Sequence, residues 1–426
     1  MKNHNNKQDK SALLINDIDQ KLPPVRQGVE MIPVRHEERE MIYFHDPQGY
    51  LVKPFLLDKH IGALLPMLNG MFSVREISEE LQRYGSSMDD EKILFFIRQL
   101  DEARLLHSPW FRAFQKQTEE RFEKSRVRPP VCAGQSYPDN KNELQDLMDR
   151  AFAKNGHRSG QTNIKALFAP HIDPRIGLNS YVPAFSALRG IQPKRVILLA
   201  TSHYSGMYDP IYRGKPYIVT RKNFQTPLGT IETDQEALDI IERSKEKTGT
   251  SFSDRAHRNE HSIELHAIFL QYLWSHSFTI VPMLVGPLDE LYYMEDGDLG
   301  DKTEAMASLL ETNYGNDRDT LFLISGDLAH IGKKFGDNNP ASSKFDEVKT
   351  FDREFLKTAL RPRPDKLLTL MKKEYDPYRI CGFPPLYTAL KALPGIKGSI
   401  TSYQLWDERE HESAVTYGSI LYQEDR

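Results

Sequence analysis

Three strand-type runs, Ile164–His171 (IKALFAPH), Arg195–His203 (RVILLATSH) and Leu321–His330 (LFLISGDLAH), each finish in polar, chemically capable residues. A β-crossover-β reading makes them neighbouring strands of one sheet. Their C-terminal ends would then carry His171, His203, Asp327 and His330 to a common rim, where open α/β sheets hold their ligands. A buried metal site is the leading expectation.

The chain has 426 residues, more than one core usually serves, so two or three domains are expected. Lys and Arg total 56 against 60 Asp and Glu, a formal charge of -4, which gives no support for a general nucleic-acid or acidic-membrane binder. Only two cysteines occur, Cys132 and Cys381, and neither lies in a CxxC pair. That excludes a disulfide framework and suits a reducing cytosol in which a thiol serves as ligand or nucleophile. The N-terminal stretch lacks an apolar signal core, and no later run approaches ~18 continuous apolar residues. A cytoplasmic location with no membrane span is therefore expected.

Residues 1–30 are polar, contain Pro23 and Pro24, and read as a mobile leader or a strap. Strand-like Met41–His45 and Tyr50–Pro54 flank the turn-like Asp46-Pro-Gln-Gly49. Helices are expected at His60–Leu68, at Ser73–Arg83, where Ser73 and Glu76 have capping-box spacing, and at Asp89–Ala103. Three short helices with a β-ribbon make a small winged-helix-like domain over 31–113. Its last helix mixes Lys92 and Arg98 with Asp101 and Glu102, which suits peptide or partner recognition better than DNA reading. A charged linker over 114–130 follows, closed by Arg128-Pro-Pro130. From 131 to 426 helix and strand patterns alternate, so the expected fold class is a large three-layer α/β domain with a mixed sheet.

Imidazoles at two strand exits, His171 and His203, are how a protein fixes a divalent transition metal on rigid supports. The plain alternative is two polar loop residues that never meet. Asp327 beside His330 could orient that imidazole or keep it protonated for acid–base work; equally, Asp327 could cap the next turn and leave His330 exposed. Cys381 precedes the helix pattern Pro385–Leu393, where a helix N-terminus lowers a thiol pKa, although a buried inert cysteine is the commoner state. The segment Glu260–His266 (EHSIELH) fails the His-Glu-x-x-His spacing, because His261 and His266 are five apart. Within a helix expected at His261–Trp274 and the residues just before it, Glu260 with Glu264, and Ser262 with His266, would share faces, one facing the site and one solvated. No nucleophile elbow, dinucleotide fingerprint or P-loop occurs.

The front domain resembles the winged-helix peptide-recognition domains related to the PQQ synthesis protein D, through LLPMLNGMFSVREISEELQRYG and QLDEARLLHS. The remainder resembles the Memo family, also called AmmeMemoRadiSam system protein B. The motifs are CAGQSYPDN at Cys132, APHIDP at His171, RVILLATSHYSG at His203, TPLGTIETD, EHSIELH, FTIVPMLVG, LFLISGDLAHIGKKFG and ICGFPPLYTAL at Cys381. This resemblance implies that His171, His203 and Cys381 face a metal, with Asp327 and His330 beside it. It also implies a fold similar to class III extradiol dioxygenases, whose ligand carboxylate is replaced here by Cys381. A thiolate there biases the site toward iron or copper. The sequence departs from the family pattern at Asp173, Tyr204, Cys132 and the Cys381-Gly-Phe-Pro-Pro385 run, which implies altered pocket polarity.

The resulting expectation is metal-dependent redox or oxygenase-type chemistry on a small molecule or modified peptide, with Asp327 and His330 as catalytic residues. Two rivals stand beside it. One is a non-catalytic peptide- or partner-binding scaffold; the other is a peptide-modification partner working beside a radical enzyme.

Overall fold

The computed structural model describes residues 15–51, 53–62, 64–85, 88–153 and 163–425. The chain divides into two units, Met1–Lys124 and Ser125–Arg426.

In the first unit, β1 (Glu30–His36), β2 (Arg39–His45) and β3 (Phe55–Asp58) form an antiparallel sheet in sequence order. The strand expected at Tyr50–Pro54 does not form, and β3 begins one residue later. The Asp46 carboxylate accepts hydrogen bonds from the backbone N–H groups of Gln48, Tyr50 and Leu51 at 3.1, 2.8 and 2.9 Å, which commits that backbone to a loop. Asp46 is itself paired with the buried Arg26 at 2.6 Å. The leader read over 1–30 divides accordingly. Residues 1–14 lie outside the described residues, whereas Ile15, Leu22 and Val29 pack into the core as a strap. The capping box at Ser73 is present, with the Ser73 N–H donating to Glu76 at 2.7 Å and the Glu76 N–H to Ser73 Oγ at 3.3 Å. The expected helix at Asp89–Ala103 runs Asp90–Glu102 with Asp89 as its cap. The first part of the expected linker over 114–130 belongs to the helix Pro109–Lys124, which buries Phe111 and Phe122.

In the second unit twelve strands form one mixed sheet among the described residues. They are β4 (Val127–Arg128), β5 (Ile164–Ala169), β6 (Arg195–Thr201), β7 (Tyr217–Val219), β8 (Asn223–Thr226), β9 (Gly229–Thr233), β10 (Thr250–Ser251), β11 (Thr279–Val285), β12 (Thr320–Ser325), β13 (His330–Gly332), β14 (Ile396–Glu408) and β15 (Ser413–Glu424). The central order is β15-β5-β12-β6-β11, with β5, β12, β6 and β11 parallel and β15 antiparallel to β5. The three expected runs are thus adjacent strands. Each is apolar almost throughout because helices cover both faces, giving two separate cores, one on either side of the sheet.

The helix expected at His261–Trp274 begins later, at Glu264, and ends at Leu273. The Glu260 carboxylate accepts from the backbone N–H groups of His261 and Ser262 at 3.0 and 3.2 Å, which holds those residues in a turn against the strand exits. No face of this segment is solvated as expected, because Glu260, Ser262, Glu264 and His266 are all buried.

The helix Phe345–Ala359 buries Asp352, whose carboxylate accepts from Tyr403 Oη at 2.8 Å on β14. Burial pushes Asp352 from 3.8 up to about 7, against the pull of Thr416 and Tyr403. An acid whose folded value is raised costs nothing below its unfolded value, loses stability progressively as pH rises toward the folded value, and carries the full penalty above it. Asp352→Asn should therefore gain about 2 kcal/mol more relative to the parent at pH 8 than at pH 5, read by urea denaturation at both values.

Candidate metal centre

The parallel register sets the three strand exits level. Ser325 on β12 lies opposite Ala169 on β5 and Ala200 on β6. His171, Asp327 and His203 follow within two or three residues of those positions. Cys381 arrives from a separate loop before the helix Phe383–Ala392. That loop is pressed on the β12 exit: a Cβ on Gly326 would stand 2.2 Å from Gly382 Cα, and one on Gly382 would stand 2.7 Å from the Asp327 carbonyl oxygen. Only paired glycines permit this approach. It brings the Asp327 N–H to 3.3 Å from Cys381 Sγ.

His171, His203 and Cys381 therefore meet, with one ligand atom from each within 4.8 Å of the others. The same holds for His203, Glu260 and His261. The hydrogen bonds determine which imidazole nitrogens are free. Ser325 Oγ donates to the Ser262 carbonyl at 2.7 Å, so toward His171 Nδ1, 3.1 Å away, it accepts. The His171 proton is on Nδ1, and its Nε2 lone pair faces Cys381 Sγ at 3.4 Å. His203 Nδ1 lies 2.8 Å from Glu260 Oε1, and the carboxylate can only accept there, so Nδ1 carries a proton and Nε2, on the Cys381 side, is the nitrogen left for a ligand. Glu260 also accepts the His203 backbone N–H at 2.8 Å. Two imidazoles locked at Nδ1 beside a thiol form a donor set that fits a transition metal, with the outer hydrogen bonds such ligands require.

The electrostatics agree. Burial, reinforced by the neighbouring histidines, holds His171 well below the usual imidazole value and hence neutral. Burial also opposes a charge on His203, but the Glu260 carboxylate and Cys381 outweigh it and raise His203 well above its usual value. Glu260 resists its own burial through His203 and His261 and is held at about 2. The expectation of a thiol lowered by the helix N-terminus is corrected: burial pushes Cys381 up despite the opposing hydrogen bond to His203.

Asp327 and His330 reach the same region but do not form the expected pair. Asp327 accepts the His171 backbone N–H at 3.0 Å, and its other oxygen lies 3.7 Å from His171 Nε2. His330 Nδ1 instead donates to the carbonyls of Leu328 and Arg379 at 3.0 and 3.1 Å, leaving its Nε2 free. The turn after β12 aims the aspartate back toward β5 and starts β13 at His330. Burial raises Asp327 to about 7 and lowers His330 to about 4.

The sequence spacing rejects protease chemistry for this segment and leaves Glu260 only as a member of a face that could point at the site, with neither Glu260 nor His261 named as a site residue. The His261 ring stacks on His203 with centroids 4.6 Å apart and meets His171 edge-on at 5.2 Å. The pairing of acid and imidazole just before an apolar helix was the available signal. Glu264 serves the framework instead, bound to the buried Arg128, to Tyr137 and to the N–H groups of Val131 and Cys132, both at 2.8 Å. Cys132 joins neither converging group, and burial with the nearby Glu264 pushes its thiol up to about 12. His266 donates from Nε2 to the Pro170 carbonyl at 2.8 Å. Asp173 caps the helix Pro174–Ser186.

The family model described as Memo-like protein matches residues 128–421. The chain belongs to the Memo family. It is 27% identical over 381 residues to a MEMO1 family protein of Aquifex aeolicus, covering 88% of this chain and 94% of that one. A MEMO1 family protein of Thermus thermophilus is 27% identical over 353 residues, covering 82% and 98%. One from Nitrosopumilus maritimus is 26% identical over 309 residues, covering 70% and 99%. In this Memo-family chain the motif residues His171, His203 and Cys381 converge, as do His203, Glu260 and His261.

Two outcomes follow for metal titrations. Glu260→Gln removes the negative charge beside His203 Nδ1 and the certainty that its partner there accepts, and should weaken metal affinity by about 10–100-fold in a chelator competition. Ligation must displace protons that His203 and Cys381 both hold more tightly than usual, so affinity should climb with pH from about 6.5 to about 8.5, with proton release visible by calorimetry in buffers of different ionisation enthalpy.

Proposed function

We propose that this Memo-family chain is a metal-dependent protein of redox or oxygenase type, with His171, His203 and Cys381 holding iron or copper and a small molecule or modified peptide as substrate. The observation that carries this reading is the convergence on one thiol of two imidazoles whose Nδ1 atoms are committed to other partners, so that each has Nε2 left for a ligand. Soft sulfur with imidazole nitrogen favours iron and copper over oxygen-preferring cations. A bound ion of that kind would supply one-electron redox capacity and Lewis acidity at this point.

The chain's own groups divide the proton handling. Asp327, raised to about 7, exists in both protonation states near neutrality and can hold or release a proton at the oxygen near His171 Nε2. His330, lowered to about 4, is neutral, and the two carbonyls on its Nδ1 leave Nε2 to accept a proton from a substrate group. Glu260 and Ser325 keep the two ligand rings in the required tautomer and do not themselves meet substrate.

The test is elemental analysis of tag-free protein purified anaerobically, beside a His203→Ala/Cys381→Ala double variant. Near-stoichiometric iron or copper in the parent, lost in a folded double variant, is expected. Failure to take up either metal after anaerobic reconstitution sinks the reading. His330→Gln separates roles further, since it should retain metal but lose turnover by about 10²–10⁴-fold once a substrate is found.

A further inference from the structure

A groove of about 550 Å³ runs between the helix Phe345–Ala359 and the helix Pro364–Lys372. Arg353, Lys357 and Arg361 line one wall at four-residue spacing, and Arg363 and Lys366 line the other. All five side chains are solvent-exposed. Glu354 is the single acid among the lining residues. This is a local reversal of charge on a chain whose formal net charge is -4.

The arrangement is also unlike the rest of the surface. Elsewhere the chain answers a basic residue with an acid at four-residue spacing, as in Lys116 with Glu120, Arg213 with Asp209 and Lys302 with Asp298. In the groove Arg353 and Lys357, four apart on the helix, carry like charges, which destabilise a helix surface. Among the described residues Arg361 pairs with Asp425, while Arg353, Lys357, Arg363 and Lys366 make no ion pair. A second neighbourhood explains why this is not general basicity: the other side of the helix Pro364–Lys372 borders Glu295, Asp296, Asp301 and Glu304, so opposite charge is present but directed elsewhere.

We propose that this groove binds a ligand carrying two or more phosphate groups, distinct from any substrate of the metal centre. The guanidiniums of Arg353 and Arg363 present planar forks that match phosphate oxygens, Arg361 adds a third that is shared with Asp425, and the Lys357 and Lys366 ammonium groups on flexible stems complete the charge balance. Arg353 and Lys357 stand about 6 Å apart along the helix, and Arg361 lies just beyond its end at Ala359. The five cations, set against Glu354 and Asp425, leave more positive charge than one phosphate neutralises, which matches an oligophosphate or a bisphosphorylated headgroup. A soluble oligophosphate and a phosphorylated lipid headgroup share this chemistry.

The experiment measures binding of inorganic tripolyphosphate to the full chain by calorimetry, with orthophosphate alongside. A second arm measures flotation with phosphatidylcholine vesicles that contain or lack a bisphosphorylated phosphoinositide. Tripolyphosphate should bind at least about tenfold more tightly than orthophosphate, and Arg353→Glu/Lys357→Glu should weaken it by at least about tenfold. Arg363→Gln/Lys366→Gln should weaken it in the same direction from the opposite wall. Lys245→Glu/Lys247→Glu, which changes net charge equally at a remote exposed segment, should leave it unaltered. These side chains are exposed, so unchanged thermal midpoints will show that each variant folds. Vesicle binding that depends on the phosphoinositide and is lost in the first variant, with weak soluble binding, assigns the lipid source. The proposal is overturned if neither arm binds, if the remote variant loses as much affinity as the groove variants, or if polyglutamate binds as tightly as tripolyphosphate. Metal content of the variants is unaffected under this proposal, so its failure leaves the reading of the metal centre standing.

Discussion

The parallel pairing of β5, β12 and β6 is the constraint from which the site follows. With Ser325 opposite both Ala169 and Ala200, the three strands stop at the same level, and the residues that come next have nowhere to go but a shared rim. A one-residue slip in either pairing would turn alternate side chains to the other face and separate the two imidazoles. The fourth participant has no strand to carry it. Cys381 is instead set by backbone contact, the Gly326–Gly382 approach that tolerates no side chain and seats the thiol on the Asp327 N–H.

Around that rim, two buried carboxylates are put to opposite uses by their surroundings. Glu260 faces histidines and several backbone N–H groups and stays ionised, held at about 2 against its burial. Asp327 receives fewer compensating contacts, and burial raises it to about 7. The first is therefore a fixed charge that orients His203, and the second is a group able to exchange a proton near neutrality. Four residues beyond Glu260, Glu264 is also buried and charged, but Arg128 neutralises it. That pair ties the segment around Val131 to the start of the helix Glu264–Leu273. Leaving Glu264 without Arg128 would expose the turn that presents Glu260 to an uncompensated buried charge.

The Memo-like motifs span the larger unit, and the catalytic-looking residues within them were legible because ligand types stand at strand ends. Less legible were the partners that make them ligands. Ser325 reads as the last residue of an apolar strand, and Glu260 as part of a failed protease motif, yet these two fix the tautomers of His171 and His203. The Asp327–His330 pairing was a proximity in sequence that the backbone did not honour, because the turn after β12 points successive side chains toward different strands. Likewise the strand expected at Tyr50–Pro54 gave way to a loop organised by Asp46, a contact set by buried Arg26 from twenty residues earlier.

The sequence by itself determined the α/β alternation, the apolar central strands, the helix cap at Ser73, and the identity of the candidate ligands. These depend on local periodicity and on residue chemistry, which a chain displays without folding. Tertiary structure alone decided the strand order, the protonation preferences, and which acid serves which imidazole. Those properties arise from burial and from hydrogen bonds between residues 57 to 210 positions apart, as between His203 and Glu260 or His171 and Cys381. Local sequence carries no measure of either.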